Sequence, residues 1–222
     1  MAWYEGAGQK RLEHDRAIVA EVQPDLRYST ELDGTLQLKG EVAFALPSGI
    51  PQRIATRIDF PADYPRREPR AYQEPKRFPR DADHHTYPDG QACLWLDVET
   101  RWRPNDAGGL RMFLDQLVVF YYRQLMMEAD TSLPFPGPSR GHGPAGYLEH
   151  LEERFHLPRS SLAKMLPALN GGVHRNALCP CGRRVRYRKC HLDAVRRFRT
   201  RVLPEHWPDV ISAIDKARSG KS

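Results

Sequence analysis

The sequence predicts an α+β domain followed by a small metal-binding module. Three features carry that expectation. Residues 28–60 alternate apolar and polar side chains between turn signals, as half-buried strands do. Leu110–Glu128 repeats apolar residues at the three-and-four spacing of a helix. Three of the four cysteines gather beside a histidine between Cys179 and His191.

Taken in order, residues 8–22 read as a helix with Leu12, Ile18, Val19 and Val22 on one side. Tyr28, Thr30 and Leu32 then alternate up to Asp33-Gly34, a preferred two-residue hairpin turn. The return strand spaces Leu36, Leu38, Val42, Phe44 and Leu46 evenly, which places all five on one sheet face. A third strand runs through Ile54, Ile58 and Phe60. From Pro61 to Pro104 the chain is rich in proline and turn residues, and ordered loops of that length are usually functional. The helix over 110–128 carries Leu110, Phe113, Leu114, Leu117, Tyr121 and Leu125 on one stripe. Val118, Val119, Phe120 and Tyr122 lie on its other faces, so the expectation is a helix buried behind the sheet. A loop over 131–146, a short helix Tyr147–His156 and a linker over 158–173 with one amphipathic turn or two follow. Leu192, Val195, Phe198 and Val202 mark one further helix, and Val210, Ile211 and Ile214 mark another beyond Pro204.

At 222 residues, the chain has room for a domain of about 150 residues plus an appendage. No apolar run approaches the roughly 20 residues of a membrane-spanning helix, so no membrane role is expected. The polar N-terminus MAWYEGAGQKRLEHD carries no secretory signal, which predicts a cytoplasmic protein with reduced thiols. The net charge of +6 is uneven: residues 174–222 hold 13 Lys/Arg against 4 Asp/Glu, or +9, whereas residues 1–173 hold 21 against 24, or −3. A basic tail suits an acidic partner, protein or nucleic acid, or is simply a solvated arginine-rich helix.

Cys93 stands apart from the other cysteines within DHHTYPDGQACLWL, residues 83–96. Taken alone, it is either a small buried filler or a nucleophile. The order of features around it distinguishes the two. Tyr64-Pro65 with Pro69 follows the third strand, Gly90-Gln-Ala-Cys93-Leu94 closes the turn-rich segment, and Trp102-Arg-Pro104 precedes the long helix. Over residues 8 to about 128, this order resembles the ubiquitin-conjugating enzymes. The resemblance implies an N-terminal helix, a four-stranded antiparallel meander with helices on one face, and Cys93 as an acyl-accepting nucleophile.

One departure matters. Counting back from Cys93, the family's His-Pro-Asn falls on Asp83, His84 and His85. An imidazole donates a hydrogen bond to a developing oxyanion, or takes a proton from an attacking amine, so His85 is the second catalytic candidate; its alternative is a loop-bracing role. His84 and His142 are better explained as surface residues. The departure, together with HGPAG at 142–146, is similar to the bacterial branch of the family found in antiphage operons. There the implied cargo is a ubiquitin-like or cGAS-like protein held by its C-terminal carboxylate. No phosphate-cradling glycine loop is present, so activation is expected from a separate enzyme. Acyl relay makes small demands on the sulfur, which must be reachable but need not have a strongly lowered pKa.

LCPCGRRVRYRKCH, residues 178–191, supplies Cys179, Cys181, Cys190 and His191, with Gly182 for a tight turn. Three thiolates and an imidazole make a closed tetrahedral set, the usual structural Zn2+ arrangement, with no vacant position for catalysis. Residues from Arg175 to His191 also resemble the SEC-C motif of the SecA translocase tail, which implies a zinc-nucleated knob for docking to a protein or the ribosome. Arg183-Arg184-Val185 replaces the turn usual there, so the partner need not be shared. The expected organisation is a ubiquitin-conjugating-like catalytic domain over 1–157, a linker over 158–173 and a zinc module with a basic helical tail over 174–222. The leading functional expectation is a cysteine-dependent acyltransferase. A protein-binding adaptor of the same fold is the alternative. Nucleic-acid binding through the tail is not favoured, and a cysteine peptidase pairing Cys93 with His142 is a distant fourth.

Overall fold

The computed structural model describes residues 2–74, 77–95, 102, 107–132, 135–136, 144–200, 202 and 206–219. They fall into two compact units, Met1–Leu94 with Arg101–Gly137 and Trp95–Thr100 with Pro138–Ser222. Among the described residues, no helix is long and apolar enough to cross a membrane.

The first unit is mixed α+β. A 3-10 turn, Gly6–Gly8, leads into α1 (Gln9–Val22), whose buried side holds Leu12, Ile18 and Val19 as the periodicity predicts. Four strands follow: β1 (Leu26–Thr30), β2 (Leu36–Ala45), β3 (Pro51–Asp59) and β4 (Arg70–Gln73). Each pairs antiparallel with its sequence neighbour, giving a meander in the order β1-β2-β3-β4. Strand side chains alternate between faces, so Leu36, Leu38, Val42, Ile54, Ile58 and Ala71 share the buried face. The other face carries paired charges: Arg53 binds Asp25 and Glu41, and Arg57 binds Asp59 and Glu74.

α2 (Gly109–Ala129) packs against α1 and β2. Its Tyr121 is fully buried, with the hydroxyl 2.9 Å from Thr56 Oγ1 on β3. Burial keeps that phenol well above its ordinary pKa, so it stays a neutral bridge between helix and sheet. The helix is not buried all round, because Val119 remains 38% exposed.

The turns differ from the two-residue form that Asp33-Gly34 predicts. The N–H of Glu31 donates to the Thr35 carbonyl and that of Gly34 to the Glu31 carbonyl. Leu46, Ile50 and Gly49 repeat the arrangement between β2 and β3. Three residues form each tip, and the glycines take φ of 82° and 83°, the left-handed region where a side chain is costly. Leu32 therefore leaves the alternation of β1 and stands fully exposed at the tip.

The second unit is helical: α3 (Pro144–Phe155), α4 (Arg159–Leu162), a 3-10 turn at Ala163–Met165, α5 (Leu166–Leu169), α6 (Leu192–Arg199) and α7 (Trp207–Ser219). This redraws the expected boundaries. The short helix predicted from Tyr147 begins at Pro144 and lies with the cysteine module, not with the sheet. The stretch 158–173, read as a linker with one amphipathic turn or two, forms successive short helical turns over 159–169 and buries Leu162, Met165, Ala168 and Leu169 in the core. These pack in one core with Leu151 and Phe155 of α3, Phe198 of α6, and Val210 and Ile214 of α7. A knob of about twenty residues has too little apolar surface to form a core alone, and α3–α5 supply the rest.

Candidate metal centre and candidate thiol site

Cys179, Cys181, Cys190 and His191 converge so that one donor atom from each lies within 4.8 Å of all the others. The polypeptide achieves this with a tight loop. Leu178 pairs with Arg186 across it, the Cys179 N–H donates to the Val185 carbonyl, and Gly182 takes φ of 86°. Cys179 and Cys181 thus sit on one turn, while the Cys190 N–H, bonded to the Tyr187 carbonyl, returns the second pair beneath it.

His191 Nδ1 faces the sulfurs, 3.3 Å from Cys179 Sγ and 3.1 Å from Cys190 Sγ. Its Nε2 lies 2.9 Å from the carbonyl oxygen of Phe155, the last residue of α3. A carbonyl only accepts, so Nε2 carries the proton and Nδ1 presents its lone pair to the thiol cluster. This is the outer-shell bond that fixes tautomer and ring orientation in metal sites. Sequence reasoning found all four donors but missed this backbone partner, because a carbonyl 36 residues upstream leaves no mark in side-chain spacing.

Burial raises the pKa of Cys179, and burial with the neighbouring sulfurs pushes Cys190 up to about 12. Burial also opposes ionisation of Cys181, but the Arg183 N–H and the other two sulfurs outweigh it and leave its pKa lowered. One thiolate forms readily and the others resist, which is the state a divalent cation reverses by supplying positive charge. Donor types, closeness and the anchored imidazole all fit a metal ion with a closed shell.

Cys93 sits in a different setting. The segment 85–93 is a narrow hairpin with the same turn found twice in the sheet. The Tyr87 N–H donates to the Gln91 carbonyl and the Gly90 N–H to the Tyr87 carbonyl, with Gly90 at φ 92°. Thr86 bridges Ala92, and one step further the Cys93 N–H donates to the His85 carbonyl at 2.8 Å. The eight-residue separation of His85 and Cys93 is therefore a cross-strand register. The return arm pairs with β4 through Tyr72 and Gln91, and the Ala92 N–H donates to the Ala71 carbonyl.

Cys93 is half-buried and, among the described residues, no cysteine is in a disulfide. His85 adopts a left-handed φ of 48° and packs its ring on Phe135, centroids 4.3 Å apart. His84 turns away: its Nδ1 lies 2.7 Å from Asp81 Oδ1, and its carbonyl accepts a bond from Gln124 of α2. His142 lies outside the described residues, as do Arg101, Arg103 and Pro104.

The other two elements read with Cys93 meet each other. Trp102 Nε1 donates to the Pro65 carbonyl at 2.8 Å, and the Trp102 and Tyr64 rings lie 5.6 Å apart. The Tyr64 hydroxyl donates to the buried Asp15 carboxylate at 2.6 Å, which also binds Arg11. Tyr64, Trp102, Phe60 and Trp3 thus form one aromatic wall fastened to α1.

The sequence signature of the SEC-C motif matches residues 175–193. No curated protein matches the chain. Among solved structures, a crystal structure of the yeast Vps23 UEV domain in complex with a Vps27 PSDP peptide shows a TM-score of 0.38 and 16% identity, over 60% of this chain and 85% of that one. The chain carries a SEC-C motif, with its three cysteines and one histidine gathered at a single point.

Proposed function

We propose that the protein is an acyl carrier of the ubiquitin-conjugating kind, with Cys93 as the acceptor and a structural Zn2+ on Cys179, Cys181, Cys190 and His191. The observation that carries the reading is the hairpin register that sets a half-buried thiol opposite His85. The Cys93 N–H donates to the His85 carbonyl at 2.8 Å, which fixes the backbone of the return arm and sets an imidazole-bearing residue across from the thiol-bearing one. In the first step, the Cys93 thiolate attacks the carbonyl of an incoming thioester, a new C–S bond forms, and the donor thiolate departs. In the second, an amine attacks the same carbonyl, a C–N bond forms, and the C–S bond breaks to return the Cys93 thiolate. The proton of the amine passes to the His85 imidazole or to water. Zn2+, when bound, would offset most of the negative charge of three thiolates, two of them buried, and tie together the loop of the second unit. The cargo proposed is the C-terminus of a ubiquitin-like or cGAS-like protein, activated by a separate enzyme, in bacterial antiphage defence.

The test charges the protein with a ubiquitin-like protein bearing a C-terminal mercaptoethanesulfonate thioester, followed by intact mass and reducing and non-reducing gels. An adduct on Cys93 that reductant removes is expected, and Cys93→Ser should convert it to a slower, reductant-resistant ester. An adduct of unchanged lability in Cys93→Ser would place the acyl group elsewhere and leave this fold as a binding adaptor.

A further inference from the structure

The second unit contains a concavity of about 500 Å³ that neither the metal cluster nor the thiol hairpin uses. Its floor is apolar, made by Ala168 at the end of α5, Tyr187, and Val195 of α6, all buried, with half-buried Leu192 and Val173 beside them. Its mouth is cationic. Arg175, Arg196 and Arg199 are exposed around it, and among the described residues none of the three forms an ion pair. Arg196 and Arg199 lie on one side of α6, three residues apart, so both guanidiniums serve the same opening.

Arg199 also lies close against the end of α5. α5 ends in a left-handed glycine, Gly171 at φ 80°, and the Gly172 N–H donates to the Pro167 carbonyl at 2.8 Å. A Cβ on Gly171 would lie 2.6 Å from Arg199 Nη1, so the bare backbone lets the guanidinium lie against the loop.

We propose that this pocket binds an acidic peptide segment, one aliphatic side chain entering the floor while flanking carboxylates meet the arginines. Three unpaired guanidiniums around an apolar floor call for a ligand that is both anionic and apolar. A phosphate alone would leave the floor empty. A single-stranded nucleic acid stacks successive bases on several exposed rings, whereas of the two rings lining this pocket Tyr187 is 3% exposed and His174 alone is open to solvent. This inference stands apart from the thioester reading, because no step of it involves Cys93.

The test is fluorescence anisotropy with the full chain and a fluorescein-labelled, end-blocked heptapeptide, leucine at its centre and glutamate elsewhere. Saturable binding is expected, weakened about tenfold when the central leucine becomes alanine. A version with lysine in place of every glutamate should not bind. The pair Arg196→Glu with Arg199→Glu should weaken binding at least about tenfold, whereas Arg188→Glu, half that charge change and placed outside the pocket, should alter it less than about twofold. Arg196→Gln, which puts no new charge on α6, serves as the milder variant should the double one lose its far-UV circular dichroism, with a loss of about threefold expected. Absence of saturable binding up to about 1 mM, equal affinity for the leucine and alanine peptides, or an Arg188→Glu loss equal to the double variant's would overturn the proposal. So would tighter binding of a ten-nucleotide thymidine strand that falls in the same double variant.

Discussion

Two thiol environments in one chain show how neighbours set what a sulfur can do. At Cys179, Cys181 and Cys190 the sulfurs crowd within one cluster, burial and mutual repulsion work against full ionisation, and an imidazole points in with its far nitrogen tied down. Such a site is complete only with a cation. Cys93 lies outside that cluster, is half-buried on a hairpin arm, and faces one histidine-bearing residue through a backbone bond. The same element serves as a clamp where four donors converge, and as a candidate nucleophile on a hairpin arm.

The largest expected effect separates the two regions directly. Chelation of the metal, or Cys181→Ser, should unfold α3–α7 while the sheet unit keeps its protection. Metal-binding free energies in small sites of this kind are on the order of 10 kcal/mol, so the second unit should not persist without the ion. Hydrogen exchange resolved by mass spectrometry checks this, with zinc content measured in parallel; uniform loss of protection in both units would erase the contrast.

Next in size is Phe155→Ala, which opens the core at the point where α3 meets His191. A loss of about 3–5 kcal/mol is expected in thermal or urea unfolding of the second unit. Within the thiol hairpin, His85→Ala should slow amine-dependent discharge from Cys93 about a hundredfold, while charging by thioester exchange stays near normal. Equal loss in both half-reactions would make His85 a brace for the hairpin, and the single-turnover rates decide between the two.

The recurring turn offers a finer comparison. Gly34→Ala and Gly49→Ala meet no atom within 4 Å, so each should cost only the backbone strain of about 1–2 kcal/mol. Gly90→Ala carries the same strain and would also displace the Arg80 guanidinium, which lies 2.7 Å from the new Cβ. It should therefore be the most damaging of the three and should change the alkylation rate of Cys93. The smallest effect concerns Asp81. Its hydrogen bond to His84 holds its pKa below the usual carboxylate range. The stability it contributes is therefore present above the unfolded carboxylate value, about 3.9, and is lost as pH falls from there through the folded one. Half-exposed and screened by salt, it should show only as a slight change in acid unfolding that Asp81→Asn removes.

Much of this was readable in advance where burial is periodic. α1, β2, β3 and α2 declare themselves because one stripe or one face of each is buried, as Leu38, Ile58 and Leu117 are. The four metal donors were legible because their chemistry forces their spacing. β4 was not: four residues, Arg-Ala-Tyr-Gln, carry too few alternations to stand out from the proline-rich stretch around them. Leu32 misled because a three-residue tip looks like a strand end followed by Asp-Gly. Residues 158–173 misled for another reason. Their helices are one turn long, and Leu162, Met165 and Leu169 are buried by tertiary neighbours that no short window contains.

The bond from His191 Nε2 to the Phe155 carbonyl spans 36 residues, and that distance has a meaning during synthesis. A ribosome adding about 5–20 residues each second makes the acceptor roughly 2–7 s before the donor exists. Through that interval the Phe155 carbonyl is without its imidazole partner. The helical half of this protein is therefore finished late, because its last metal donor and then α6 and α7 must all follow α3 off the ribosome.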